Sequence, residues 1–209
     1  ITAVRRLIHS KHNWKNNLNP LSVMKTNFLI ILLWLGLTVP SLAGNDETGN
    51  PAEGRKYPVP QLTEKLLFYV QRTHNRNTIV YELNYGSDGN IDARDPLHPS
   101  WIRYEEGGAR KELSYIQNRV YGLNVKQLDK DTWLIHFRSY GKRDVYLRRN
   151  EKNNTCRAMI TINGKMANLI SLFICSVTNS LGIPSTVKYI DIKGTDPLTG
   201  ELVQERVIP

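Results

Sequence analysis

Two short stretches hold most of the side chains able to do chemistry. The first is His74-Asn75-Arg76-Asn77, set between two apolar runs. The second runs from Asp95 through His98, Trp101 and Arg103 to Tyr104, with prolines at 96 and 99. A histidine flanked by amides can grip a polar ligand or serve as a base near neutral pH. Prolines three apart stiffen a loop and hold His98 extended. Trp101 and Tyr104 offer faces on which a sugar or another ring can stack, and Arg103 offers a fork for a carboxylate or phosphate. Each stretch also has a plainer reading. Asn and His tolerate left-handed backbone and build turns. Trp101 can pack in the core while Arg103 pairs with Glu105 or Glu106. The candidate ligand-binding residues are therefore His74, Asn75, Asn77, Asp95, His98, Trp101, Arg103 and Tyr104, and the candidate hydrolytic pair is His74 or His98 with Asp95.

Other chemistries find less support. Asp88, Asn90 and Asp92 alternate like calcium-loop ligands, but Ala93 stands where that loop needs Gly and Pro99 where it needs Glu. His74, His98 and His136 have no partner at zinc-ligand spacing, so no metal is expected. There is no Gly-x-Ser-x-Gly, no Walker loop and no dinucleotide fingerprint, and no cofactor is expected. Asn153-Asn154-Thr155 fits a glycosylation acceptor.

The chain has 209 residues, 40% of them hydrophobic and 22% charged, enough apolar material for one real core. Its formal charge of +9 is unevenly spread. Residues 1–43 hold Arg5, Arg6, Lys11, Lys15 and Lys25 and no acid, so the remainder is only mildly basic. That balance argues against nucleic acid as a partner. Met24-Lys25-Thr26-Asn27, the apolar run Phe28 to Val39 and the small residues of Ser41-Leu42-Ala43 form the three parts of a secretory signal peptide over 24–43. The run is too short for a membrane span of about 20 residues. Residues 1–23 are polar, basic and aperiodic and read as an upstream extension ahead of Met24. Residues 44–59 read as a flexible leader, and 60–209 as a single domain. The expected location is periplasmic or secreted, with an uncleaved 28–43 segment as the alternative membrane anchor.

The elements that must position these residues are mostly strands. Leu66–Arg72 and Thr78–Leu83 are β-rich and pair as a hairpin around the loop 73–77. Trp101–Tyr104 is a short strand after Pro99. In Arg110–Tyr121, Leu113, Ile116, Gln117 and Val120 recur at helical spacing before Gly122, which predicts the one helix, near 110–121. Strands follow at 124–128, 132–138, 143–149, 155–162, 165–177, 187–193 and 202–208. The fold class is mainly β, an antiparallel sandwich or barrel of about nine short strands with one helix.

Asn163-Gly164 supplies the two positive φ angles of a type I′ hairpin. With that turn, Ile162 faces Lys165, Ile160 faces Ala167 and Cys156 faces Ser171. Ala158, Ile160, Ile162, Ala167, Leu169, Phe173 and Cys175 then share one apolar face. Cys156 lies four residues along the strand from Cys175, roughly 13 Å at about 3.3 Å per residue. A disulfide needs Cα atoms within about 7 Å, so the two cysteines are expected to be unbridged.

The strings Gln71 to Asn84 and Asp95 to Tyr104, with Leu113-Ser114-Tyr115-Ile116-Gln117 and the turn from Lys193-Gly194-Thr195-Asp196 to Thr199-Gly200, resemble the domain-of-unknown-function family 4833 of exported bacterial proteins. The similarity covers most of 57–207. It implies a single exported domain and brings no catalytic residue, since the family has no assigned activity. The expected function is an exported envelope domain that binds a polar ligand or protein partner through the 71–104 patch. The alternatives are a small hydrolase using His74 or His98 with Asp95, and a lipocalin-like carrier of an apolar ligand.

Overall fold

The computed structural model describes residues 57–178 and 184–209; the 1–23 extension, the 24–43 signal segment and most of the 44–59 leader lie outside them. The strands are β1 Leu66–Arg72, β2 Asn75–Leu83, β3 Leu97–Arg103, β4 Ala109–Glu112, β5 Leu123–Gln127, β6 Thr132–Phe137, β7 Tyr140–Asn150, β8 Thr155–Ile162, β9 Lys165–Thr178, β10 Pro184–Thr195 and β11 Leu202–Val207. One helix, α1 Tyr115–Tyr121, joins β4 to β5. The strands form one sheet in the order β4-β3-β2-β1-β9-β8-β7-β6-β5, with β10 on the other edge of β9 and β11 beyond it. This nine-strand path curls into a half-barrel, and α1 carries the chain from one end of the path to the other. The sheet is not wholly antiparallel, because β1 and β9 pair in parallel from Tyr69↔Ser171 to Arg72↔Ile174.

Strand alternation sorts side chains onto two faces. The concave face carries the main core, with Phe68, Ile79, Tyr81, Leu97, Trp101, Trp133, Ile135, Leu147, Ile160 and Ile192 among its members. Phe68 stacks on Tyr81 at 4.4 Å, and Phe137 stands edge-on to both. Leu66, Tyr69, Val80 and Ile102 form a second cluster on the convex face. The segment before β1 covers it: Leu62 packs there, Gln71 Nε2 donates to Pro58 O, and the Tyr57 ring meets Phe173 edge-on.

Four local expectations need correction. The predicted loop 73–77 is a two-residue turn, Thr73-His74, so Asn75 and Asn77 belong to β2. His74 takes the positive φ of 70° that this turn requires. The first three residues of the predicted helix, Arg110 to Glu112, belong instead to β4, paired with β3. Helix formation waits for Ser114, whose side chain accepts from Gln117 N while Gln117 returns a bond to Ser114 N, a full capping box. The strand at Trp101 begins earlier, at Leu97, and includes Pro99. That proline is tolerated because β4 pairs only with Ser100 to Arg103 and leaves the edge at 99 without a neighbour.

The fourth correction lies in β9. The Asn163-Gly164 turn and its register hold from Ile162↔Lys165 to Met159↔Asn168. Cys156 does not go on to face Ser171; it pairs with Arg149 of β7, and Ser171 takes Tyr69 of β1. Opposite β10, Gly194 faces Leu169 and Lys193 faces Ser171, which leaves Ile170 as an extra, bulged residue. One extra residue reverses which face every later side chain points to. Leu172 and Ile174 therefore reach the concave core in place of Phe173 and Cys175. Both cysteines are nevertheless buried and unbridged.

Candidate functional site

The concave end of β1 and β3 places two arginines against one indole. Trp101 points inward because Leu97, Pro99 and Trp101 alternate on the apolar side of β3, and it is only 1% exposed. Its Nε1 donates to Gln117 Oε1 at 3.0 Å, and the same oxygen accepts the backbone N–H of Ser114. The first turn of α1 thus fixes the ring. Tyr121, one turn further along, stands edge-on to it at 5.8 Å.

Arg72 ends β1 on the same face as Phe68 and Val70. Its guanidinium lies 4.9 Å from the Trp101 centroid and 5.5 Å from that of Tyr121, and donates to the Tyr121 hydroxyl. Arg103, two residues beyond Trp101 and so on its side of β3, lies 5.9 Å from the indole and donates to Glu106 Oε1 at 2.6 Å. The Nε of each arginine is buried without an acceptor. The two differ in charge balance. Glu106 counters Arg103 and also receives Lys111; these bonds, that from Lys111 foremost, hold the Glu106 carboxyl below its ordinary range. Arg72 has no carboxylate partner among the described residues.

The other candidates divide into supports and outliers. Asn77, 1% exposed, donates from Nδ2 to Glu105 Oε2 and accepts Glu105 N on Oδ1, which ties β2 to the 3-10 turn Tyr104–Glu106. That turn presents Glu106 to Arg103. Asn75 Oδ1 accepts Asn77 N, a local brace. His74 Nε2 lies 2.9 Å from Ser176 O, and since a carbonyl only accepts, that nitrogen carries the proton. Thr73 N donates to Ile174 O, and its hydroxyl lies 3.0 Å from both Ser176 O and Ser176 Oγ and accepts the Ser176 N–H, so the β1–β2 turn is pinned to β9.

His98 faces the convex side, opposite Glu82, and bonds Glu112 Oε1 at 3.0 Å. Asp95 sits exposed on the loop before β3, and no hydrogen bond joins it to either histidine among the described residues. Tyr104 packs with the convex cluster, where burial first of all raises its hydroxyl pKa. So Trp101 and Arg103 share a site that Asn77 braces, while His98 and Tyr104 lie on the opposite face. Trp101 is not an open platform, because alternation turns it inward and the protein's own arginines lie against its ring.

Three site residues escaped the sequence reading: Arg72, Gln117 and Tyr121. The signal was present in the alternation of Phe68, Val70 and Arg72, which sets a charge on an otherwise apolar face, and in the four-residue spacing of Gln117 and Tyr121. No group of three potential metal ligands gathers among the described residues. Asp88 and Asp92 instead accept backbone N–H groups of their own turns. No curated protein and no solved structure matches the chain. The family described as Domain of unknown function (DUF4833) matches residues 68–206, and the chain belongs to that family.

Proposed function

We propose that this is an exported, non-catalytic domain that binds an anionic oxygen group of a ligand or partner at Arg72, with Arg103 as second cation. The observation that carries the reading is the charge on Arg72. A partly buried cation costs free energy unless it is paired. Contacts with Trp101 and Tyr121 offset part of that cost, about 0.5–2 kcal/mol for a cation–π contact, and leave the charge unneutralised. A carboxylate or phosphate supplies what is missing, and a guanidinium recognises either by paired N–H donors. Export rests on the 24–43 pattern of charge, apolar run and small residues.

Among the described residues, Phe68, Tyr81, Trp101 and Trp133 are buried in the concave core, which weighs against a large apolar cargo there. A hydrolytic role for His74 or His98 has no support from a hydrogen bond to Asp95. The test uses the indole N–H of Trp101 as reporter. Titration with inorganic phosphate, and separately with succinate, should move the Trp101 signal and spare that of Trp133, whose Nε1 donates to Ala93 O. The response should vanish in Arg72→Gln. No response to either anion, or an equal response in R72Q, sinks the reading.

A further inference from the structure

A second candidate site lies where β9 changes partners. Asn168 pairs with Met159 of β8 and Thr195 of β10, whereas Ser171 pairs with Tyr69 of β1 and Lys193 of β10. β8 and β1 therefore share one edge of β9 in succession, and they part around the Ile170 bulge. A crevice of about 270 Å³ opens at this fork. Gly194 makes the local geometry possible. A Cβ there would come within 2.5 Å of Asn168 O and 2.9 Å of Ile162 Cδ1, and its φ is not in the left-handed region, so space rather than backbone freedom requires glycine.

The lining of the crevice joins both cores. Leu67, Ala158 and Leu169 belong to the concave cluster, while Leu66, Leu62 and Ile170 belong to or pack on the convex one. Thr63, Arg157, Asn168 and Thr195 supply the polar lining. Arg157 has no ion pair or side-chain hydrogen bond among the described residues. Directly across from it in the β7–β8 register stands Arg148, whose guanidinium lies 6.0 Å from the Tyr146 ring and has no ion pair among the described residues. Like charges directly opposite on neighbouring strands repel, and an anion on Arg157 relieves that repulsion.

We propose that this crevice binds a short-chain amphiphilic anion, with its aliphatic chain between Leu66, Leu169 and Ile170 and its anionic head on Arg157. Charge complementarity selects the head, and the apolar walls select the chain. Size limits the length, since pockets for drug-sized ligands measure about 300–1,000 Å³ and this crevice falls just below that range.

Octanoate is the probe, titrated into the full chain while the methyl NMR signals of Leu66, Leu169 and Ile170 are followed. These methyls should shift saturably with octanoate and stay unmoved with acetate. Arg157→Gln should weaken binding about tenfold, the loss expected for one charge-assisted bond. Ile170→Trp should fill the crevice and abolish binding, whereas Arg72→Gln should leave it unchanged. The proposal is overturned if octanoate does not bind, if acetate acts equally, if R157Q binds as tightly as the native chain, or if R72Q removes the effect. Should Ile170→Trp fail to fold, the R157Q and acetate comparisons decide alone.

Discussion

Trp101 and Gln117 are joined by a 3.0 Å hydrogen bond from the indole Nε1 to an oxygen that also caps helix α1. One amide thereby sets both the start of the helix and the orientation of the ring on which Arg72 and Arg103 rest. Replacing Gln117 with Ala removes one side of the capping box and strands a buried indole N–H. An unsatisfied buried donor costs about 1–3 kcal/mol, and a lost cap about 1 kcal/mol. We expect a loss of about 2 kcal/mol for Q117A in urea unfolding. In a Trp101→Phe background the same change should cost distinctly less, because the donor is gone; equal costs would break the link between ring and cap.

Gly194 should be irreplaceable for a steric reason. Its Cβ position meets the backbone oxygen of Asn168 at 2.5 Å, which a side-chain rotation cannot relieve. Gly194→Ala should therefore lower stability by about 1–3 kcal/mol, the usual cost of overpacking. Gly164 provides the contrast. It has open space but a φ of +79°, so Gly164→Ala should cost about 1 kcal/mol from backbone strain alone. A thermal midpoint for G194A at or above that of G164A would contradict this ordering.

What the sequence revealed tracks the range of the forces involved. Asn163-Gly164 dictates its turn through local backbone preference, and the β8–β9 register follows from it for four pairs. The failure begins at Ile170, where the bulge depends on β1 arriving from far earlier in the chain, as in the pair Tyr69↔Ser171. The start of β3 is misread for a related reason. The prolines at 96 and 99 suggest a loop as far as Pro99, whereas pairing with β2 runs from Leu97 to Ile102. Trp101 itself lies in a strand, as expected, and its indole turns inward to the core. Arg110 to Glu112 have good helix propensity, yet pairing with β3 outweighs it. His74, by contrast, behaved as its residue type allows, taking a left-handed turn position.

The proposed export predicts a defined N-terminus. Cleavage after Ala43 of the Ser41-Leu42-Ala43 site leaves Gly44 first. N-terminal sequencing of protein recovered from the periplasm or medium should read Gly44-Asn45-Asp46. Recovery of a membrane-bound chain that still carries Phe28 to Val39 would mark that segment as an anchor instead.

Cys156 offers a test of burial through pH. Its side chain is 1% exposed, and burial pushes the thiol up to about 11 from an ordinary value of 9.0. The folded state then holds its proton more tightly than the unfolded state. Above pH 9 the unfolded chain loses the proton first, so stability falls with rising pH until the folded thiol also titrates near 11. Below pH 9 both states are protonated and the effect disappears. Urea unfolding from pH 8 to 11 should thus show a downward slope in the native chain that is reduced in Cys156→Ala, whatever the tyrosines and lysines contribute to both. Burial also keeps the thiolate, the reactive form, scarce. A thiol reagent at pH 8 should label neither Cys156 nor Cys175 in the folded protein and both after unfolding without reductant. A pH slope unchanged by C156A, or an unfolded chain that takes up no label, would show that this thiol is not the buried, unbridged group described above.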